Sequence, residues 1–286
     1  MHPDPLFTFS LFGTKLSVYL YGLFIAVGLI ACIGVFFLYT KKMNMSQKVQ
    51  DFTFFVAIVA IAFGFLIAKF YQAIYDWVEN GFNEFDFYGA GITAMGGFVG
   101  GAAVFLIVYF LAGKYTFTGK DKGLHKKELN KTFCVAPCSI TIAHAFGRIG
   151  CLMAGCCHGA FLSEDYTFGG IYMKVDGRWG YYVPTQLYES LFLFVLFAVL
   201  SVMYLKRSNI TMHVYLIAYG VWRIIIEFFR TDYRGAIVLG LAPSQWQSII
   251  FIAGGIALFI IYYVRKVPFV RKPEEAQTGE NDKVPD

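Results

Sequence analysis

The sequence predicts an all-α, polytopic membrane protein of seven transmembrane helices, and three observations predict it. Of 286 residues, 57% are hydrophobic and only 15% are charged, whereas a soluble domain carries about 25% charge. Apolar runs near the roughly 20 residues that cross a hydrocarbon core recur along the chain. The basic residues gather in alternate loops. The net charge of +5 is therefore a topology signal, and no nucleic-acid partner is expected.

Taken in order, the spans are Leu16 to about Thr40, Phe52 to Tyr75, Gly91 to Ala112, Thr132 to about Ala154, Gln186 to Leu205, Thr211 to Phe229 and Ser244 to Val264. The fourth and sixth are the least apolar, because the fourth holds Arg148 and the sixth Arg223 and Glu227. Loops 41–51, 113–131 and 206–210 with the tail after 264 hold 16 Lys and Arg, against 5 in segments 1–15, 76–90, 155–185 and 230–243. The positive-inside rule then puts the N-terminus outside and the C-terminus in the cytoplasm. Residues 1–271 read as one transmembrane bundle, with an outer segment, 156–185, inserted between the fourth and fifth helices. Residues 272–286 are polar and proline-bearing and are expected to be a disordered cytoplasmic tail. No cleavable signal peptide is expected, since the first apolar run is too long and lacks a small-residue cleavage site. No pair of broken helices repeats in two halves, which counts against a transporter built from inverted repeats.

Function is sought where polar groups cost most. An arginine near mid-membrane costs about 2.5–3.5 kcal/mol on insertion scales, so Arg148 needs a reason. Gly147 and Gly150 flank it and leave the backbone open to close approach. A guanidinium recognises phosphate in a planar, bidentate way, so Arg148 near the outer headgroups reads as a lipid-phosphate site; snorkelling to the surface is the structural alternative. In the sixth span, Arg223 and Glu227 are four apart and share a face, with Tyr219 and Arg230 approximately on it. They read either as an internal ion pair or, with Arg148, as half of a phosphate clamp. Pro184-Thr185-Gln186-Leu187-Tyr188-Glu189 opens the fifth span, with Thr185 as a candidate cap. Gly96-Gly97 and Gly100-Gly101 in the third span suit close helix packing.

Six cysteines occur at 32, 134, 138, 151, 156 and 157. Cys151, Cys156, Cys157 and His158 lack the separated CxxC pairs of structural zinc. No metal and no cofactor are expected from the spacing, and the thiols read as small polarizable side chains packed at a helix end.

In order and spacing, Gly147-Arg148-Ile149-Gly150, Gly155-Cys156-Cys157-His158-Gly159, Val183-Pro184-Thr185-Gln186-Leu187-Tyr188-Glu189-Ser190, Tyr219-Gly220-Val221-Trp222-Arg223 through Arg230, and Ala242-Pro243-Ser244-Gln245-Trp246 resemble the prolipoprotein diacylglyceryl transferases. Tyr19-Leu20-Tyr21-Gly22 matches that family's early tyrosine–glycine pattern. The resemblance implies transfer of diacylglycerol from phosphatidylglycerol to the lipobox cysteine of prolipoprotein signal peptides, at a site facing the outer leaflet of a bacterial cell membrane. It implies Arg148 and Arg223 as catalytic phosphate ligands, Glu227 orienting Arg223, and Arg230 supporting the cavity mouth. Tyr21 and Tyr219 would contact lipid, with Gly147, Gly150 and Gln186 lining the substrate site and Tyr188 and Glu189 behind it. The chain departs from the family pattern at Met95 and Val183, where histidines are usual, and at Cys151 and Cys156, where an asparagine and an acidic residue are usual. Methionine accepts no proton, so His144, one helical turn before Arg148, is the candidate catalytic base and His158 the second. A free thiol near pH 8 is partly thiolate without any base. A related transferase acting on another acceptor, or a phospholipid-binding or transport protein without chemistry, stays open at this point.

Overall fold

A computed structural model describes residues 5–11, 14–83, 85–89, 91, 93–175, 178–230 and 241–265. The tail expected to be disordered, 272–286, lies outside the described residues, as do most of loop 230–243 and the side chain of Met95. The described chain is mostly helical: α1 (Leu20–Lys42), α2 (Gln47–Glu79), α3 (Ala94–Thr116), α4 (Leu124–Ala154), α5 (Thr185–Leu205), α6 (Thr211–Glu227) and α7 (Pro243–Arg265). All but α6 are long and apolar enough to cross a membrane. At 1.5 Å per residue the 17 residues of α6 reach about 26 Å, short of a hydrocarbon core of about 30 Å.

Two small antiparallel sheets depart from the all-helical expectation. A hairpin, β1 (Phe7–Leu11) with β2 (Thr14–Val18), takes up the start of the predicted first span. In the sequence, Thr14, Leu16 and Val18 alternate with Lys15 and Ser17, the period of a strand. Segment 156–185 holds a sheet of order β3-β5-β4, made of β3 (Phe161–Ser163), β4 (Ile171–Val175) and β5 (Arg178–Tyr182). Its aromatic residues pair across the strands, with Tyr172 stacked on Trp179 at 5.4 Å and tilted against Tyr181 at 5.1 Å, the kind of contact that stabilises a ladder.

The chain divides into two compact units, 40–132 and 1–39 with 133–286. In the first, α2 and α3 approach so closely that a Cβ on Gly64 would come within 3.2 Å of Gly101 Cα and of Gly97 O. The expected packing role of the paired glycines is thereby met. Met45, Val49, Phe52, Val56, Tyr109 and Phe117 form a core at one end of this unit.

In the second unit α1 packs on α4, where a Cβ on Gly28 would meet Ala143 O at 3.0 Å. Phe192 of α5 stacks on Trp222 of α6 at 4.4 Å. Every charged residue discussed below belongs to this unit.

Candidate active site

Helix α4 ends in a Schellman motif, and that ending builds half of the site. Gly155 takes the left-handed conformation at φ 74°, which glycine adopts without the Cβ penalty. The Gly155 N–H donates to Leu152 O at 3.2 Å and the Cys156 N–H to Cys151 O at 3.2 Å, satisfying two carbonyls a helix end leaves orphaned. The chain doubles back, and the Sγ atoms of Cys151, Cys156 and Cys157 lie within 4.8 Å of one another. All three are free thiols.

The loop is then fastened to the start of α5. Gln186, fully buried, donates from Nε2 to Cys156 O at 2.5 Å, and the Thr185 hydroxyl donates to Cys157 O at 2.8 Å. Thr185 is thus the first helical residue, with Pro184 at the N-cap position; its hydroxyl serves the cysteine loop, so the expectation of a Thr185 cap is corrected. Gly159 donates to Val183 O at 2.8 Å and forms an antiparallel bridge with Arg230. A Cβ on Gly159 would sit 2.4 Å from Phe229 O and 2.8 Å from Val183 Cβ. Gly159→Ala is therefore expected to lower stability by about 1–3 kcal/mol and to shift Arg230, read as a lower unfolding temperature in detergent; an unchanged transition would contradict this packing.

Within the membrane-embedded part, Glu189 is the centre. It is fully buried, and its Oε1 lies 3.0 Å from Arg148 Nη2, 3.2 Å from the Tyr219 hydroxyl that donates to it, and 3.8 Å from His144 Nε2. The His144 ring packs edge-on against Tyr219 at 5.2 Å. Arg223 pairs with Glu227 at 3.0 Å one turn away on α6, so Glu227 does hold Arg223. The positive charges of Arg148, Arg223 and Arg230 lie near enough to act on Glu189. Among the described residues, Arg148 Nε and Arg223 Nη1 are buried and have no hydrogen-bond partner. A buried donor left unpaired costs about 1–3 kcal/mol, more when charged, and an anion placed between these groups would remove that cost.

The other expected residues have varied surroundings. Gly147 opens onto free space, whereas Gly150 accommodates Tyr21, whose carbonyl oxygen would lie 3.2 Å from an added Cβ. Gly150 thus seats α1 against α4 at Tyr21. Arg230 is not on the α6 stripe, because the helix stops at Glu227 and Arg230 is held by the bridge to Gly159. Gln186 faces the cysteine loop. Tyr188 donates to Gly169 O at 2.9 Å and ties the sheet segment to α5. His158 has Nδ1 at 2.9 Å from Gly159 O, with its ring edge-on to Tyr182.

Glu189 is the candidate site residue whose weight in the sequence was underrated. The signal was present: a carboxylate inside an apolar span needs a cation, and Arg148 is the unpaired cation of the preceding span. Hydrogen bonds from Cys151 and Cys156, helped by Arg230 and Arg148, hold the Cys157 thiol below the ordinary thiol range, while hydrogen bonding with Cys151 and Cys157 raises Cys156.

The family model described as prolipoprotein diacylglyceryl transferase matches residues 7–261. A phosphatidylglycerol–prolipoprotein diacylglyceryl transferase of Clostridium tetani is 31% identical over 272 residues, covering 90% of this chain and 98% of the relative. A second enzyme of that name from Clostridium perfringens is 32% identical, covering 88% of this chain and 93% of its own length. One from Streptococcus pneumoniae is 30% identical over 91% of this chain and 95% of its own.

Proposed function

The chain belongs to the prolipoprotein diacylglyceryl transferase family, and on that premise we propose that it transfers the diacylglyceryl group of phosphatidylglycerol to a prolipoprotein cysteine. The acceptor is the lipobox cysteine of a signal peptide, and the products are a thioether and glycerol phosphate. The observation that carries this reading is the buried Arg148–Glu189 pair with an unpartnered guanidinium nitrogen beside it. The acceptor thiolate attacks the glycerol carbon that bears the phosphate ester. The C–O bond breaks, and the phosphate leaves with the electron pair. Arg148 and Arg223 meet the charge that grows on it, already aimed by Glu189 and Glu227; preorganised donors of this kind supply about 10²–10³ in rate each. Tyr21, Gly147 and Tyr219 line the lipid side, Gly150 seats Tyr21 there, and Gln186 and Arg230 hold the loop over it.

The protein crosses the bacterial cell membrane seven times, α6 included, with the N-terminus outside and the C-terminus cytoplasmic. The excess of Lys and Arg in alternate loops supports that orientation. The glycine- and cysteine-rich end of α4 then faces the outer leaflet. The shortness of α6 suits a helix that ends at a site in the bundle instead of at the bilayer surface.

Purified protein incubated with phosphatidylglycerol vesicles and a lipobox peptide should yield a peptide heavier by one diacylglyceryl group, detected by mass. Phosphatidylglycerol bound without product would make this a lipid-binding protein, and product only on some other thiol would make it a related transferase. His144 is the proposed proton acceptor, and His144→Gln should lower the rate at pH 7 by about 10²-fold and make it rise more steeply with pH, since only thiolate formed in solvent then reacts. Undiminished turnover would remove His144 from the reaction.

A further inference from the structure

Three thiols brought together by a helix end, next to a reaction whose nucleophile is a thiol, are the feature that the preceding reading leaves unused. The sequence spacing argued against a metal, because no CxxC pairs are present. The fold supplies what the spacing lacks. A Schellman reversal at Gly155 carries Cys156 back over Cys151, and a left-handed Cys157 at φ 65° completes the group. The three sulfurs lie within 4.8 Å of one another. Zinc–thiolate bonds of about 2.3 Å in a tetrahedral site put sulfurs about 3.8 Å apart, so closure around one ion asks for shifts of an ångström or less. Both loop cysteines are already fixed through their carbonyls by Gln186 and Thr185, and Cys156 through its N–H by Cys151.

We propose that Cys151, Cys156 and Cys157 bind one Zn²⁺ ion, leaving a fourth position for the acceptor thiol. The inference rests on the transferase reading for its acceptor, while the metal site itself stands on the cysteines alone. Three protein ligands with one open position is the arrangement of catalytic zinc, in contrast to the closed four-ligand structural site. Three thiolates around Zn²⁺ carry a net charge of −1, and a fourth makes it −2. Arg148 and Arg230, whose charges reach Cys157, offset that charge. The partly exposed cluster, with Cys156 open to the surface, leaves room for a peptide to enter.

The chemistry balances without an oxidant or reductant. The acceptor S–H coordinates zinc and loses its proton to water, directly or through His144. The zinc-held sulfur then forms the C–S bond as the C–O bond of the lipid breaks, and the phosphate oxygen takes the electron pair. A coordinating thiol is deprotonated by the ion itself. A free thiol of pKa about 8.5 is only about 3% thiolate at pH 7, so removing zinc should slow transfer roughly thirtyfold at that pH. The thiolate fraction rises with pH. The metal-free rate should therefore climb about tenfold per unit and level off above about pH 8.5, whereas the zinc-loaded rate should be much flatter.

The test uses the whole protein in detergent under reducing conditions, stripped with a chelator and then titrated separately with Zn²⁺ and with Co²⁺. About one ion per chain is expected, with sulfur-to-cobalt charge-transfer absorption, both lost in the Cys151→Ser/Cys156→Ser/Cys157→Ser variant. A lipobox peptide should alter the cobalt d–d bands, and the same peptide with serine for cysteine should not. Failure of wild-type protein to bind metal stoichiometrically, or retention of metal and charge-transfer bands by the triple variant, overturns the site. A cobalt spectrum indifferent to the cysteine peptide, or full transfer by stripped enzyme at pH 7, overturns its role in the reaction. Metal binding with no thioether under any condition would instead sink the transferase reading and leave the metal site standing, so the two failures are told apart. The cobalt measurement on unmutated protein keeps the result decisive even if the triple variant does not fold.

Discussion

Arg148→Ala is expected to cut thioether formation by about 10³-fold, the loss that follows removal of one preorganised donor to a developing anion in a water-poor site. The effect should fall on turnover more than on lipid binding, because the leaving phosphate carries more charge in the transition state than the diester does in the ground state. Arg148→Lys keeps the charge but loses the fork that can hold Glu189 with one nitrogen and phosphate with another. Its rate should lie between wild type and alanine. Initial rates by mass detection of the lipidated peptide decide the matter, and an alanine variant within tenfold of wild type would take Arg148 out of the phosphate site. Because the alanine change also leaves Glu189 buried without its nearest cation, the lysine variant separates lost chemistry from lost structure.

Glu189→Ala should be the most damaging single change to stability. It removes the partner of Arg148 and the acceptor of the Tyr219 hydroxyl together. Breaking a buried charged pair from one side costs about 3–5 kcal/mol, since the remaining charge stays buried and uncompensated. The unfolding temperature in detergent should drop clearly and transfer should fall with it. Glu189→Gln keeps an oxygen for Tyr219 and a similar volume, so it should recover part of the stability while transfer stays low, because Arg148 is no longer held by a charge. An alanine variant that unfolds at the wild-type temperature would show that Glu189 is not the centre of this cluster.

The order of helices was legible because a membrane core demands long apolar runs, and six of the predicted spans fold as helices of crossing length. Several ends lie further out than predicted, for a physical reason. Helix α2 reaches Glu79 and α4 begins at Leu124, because a helix continues into water where its polar face allows, and hydropathy marks only the buried stretch. The three-stranded sheet in segment 156–185 was visible only as an aromatic cluster, since its strands are at most five residues long and pair across a register that no short pattern dictates. Arg148 and Arg223 stood out in the sequence for the cost of burying a charge, and Tyr219 for sharing a helix face with Arg223. Glu189 was undervalued because a glutamate near a helix start also suits the helix dipole.

By itself, the sequence determined what a one-dimensional pattern can: a membrane protein, its spans, the family it resembles, and the charged residues that apolar surroundings make expensive. Only the tertiary structure decided how those residues are paired. It joined Arg148 to a carboxylate 41 positions away, gave Arg223 to Glu227, took Arg230 off its helix, and turned three cysteines of unpromising spacing into one cluster. The physical reason is that burial cost is a property of each residue, whereas its compensation depends on which atoms the folded chain brings within about 3 Å.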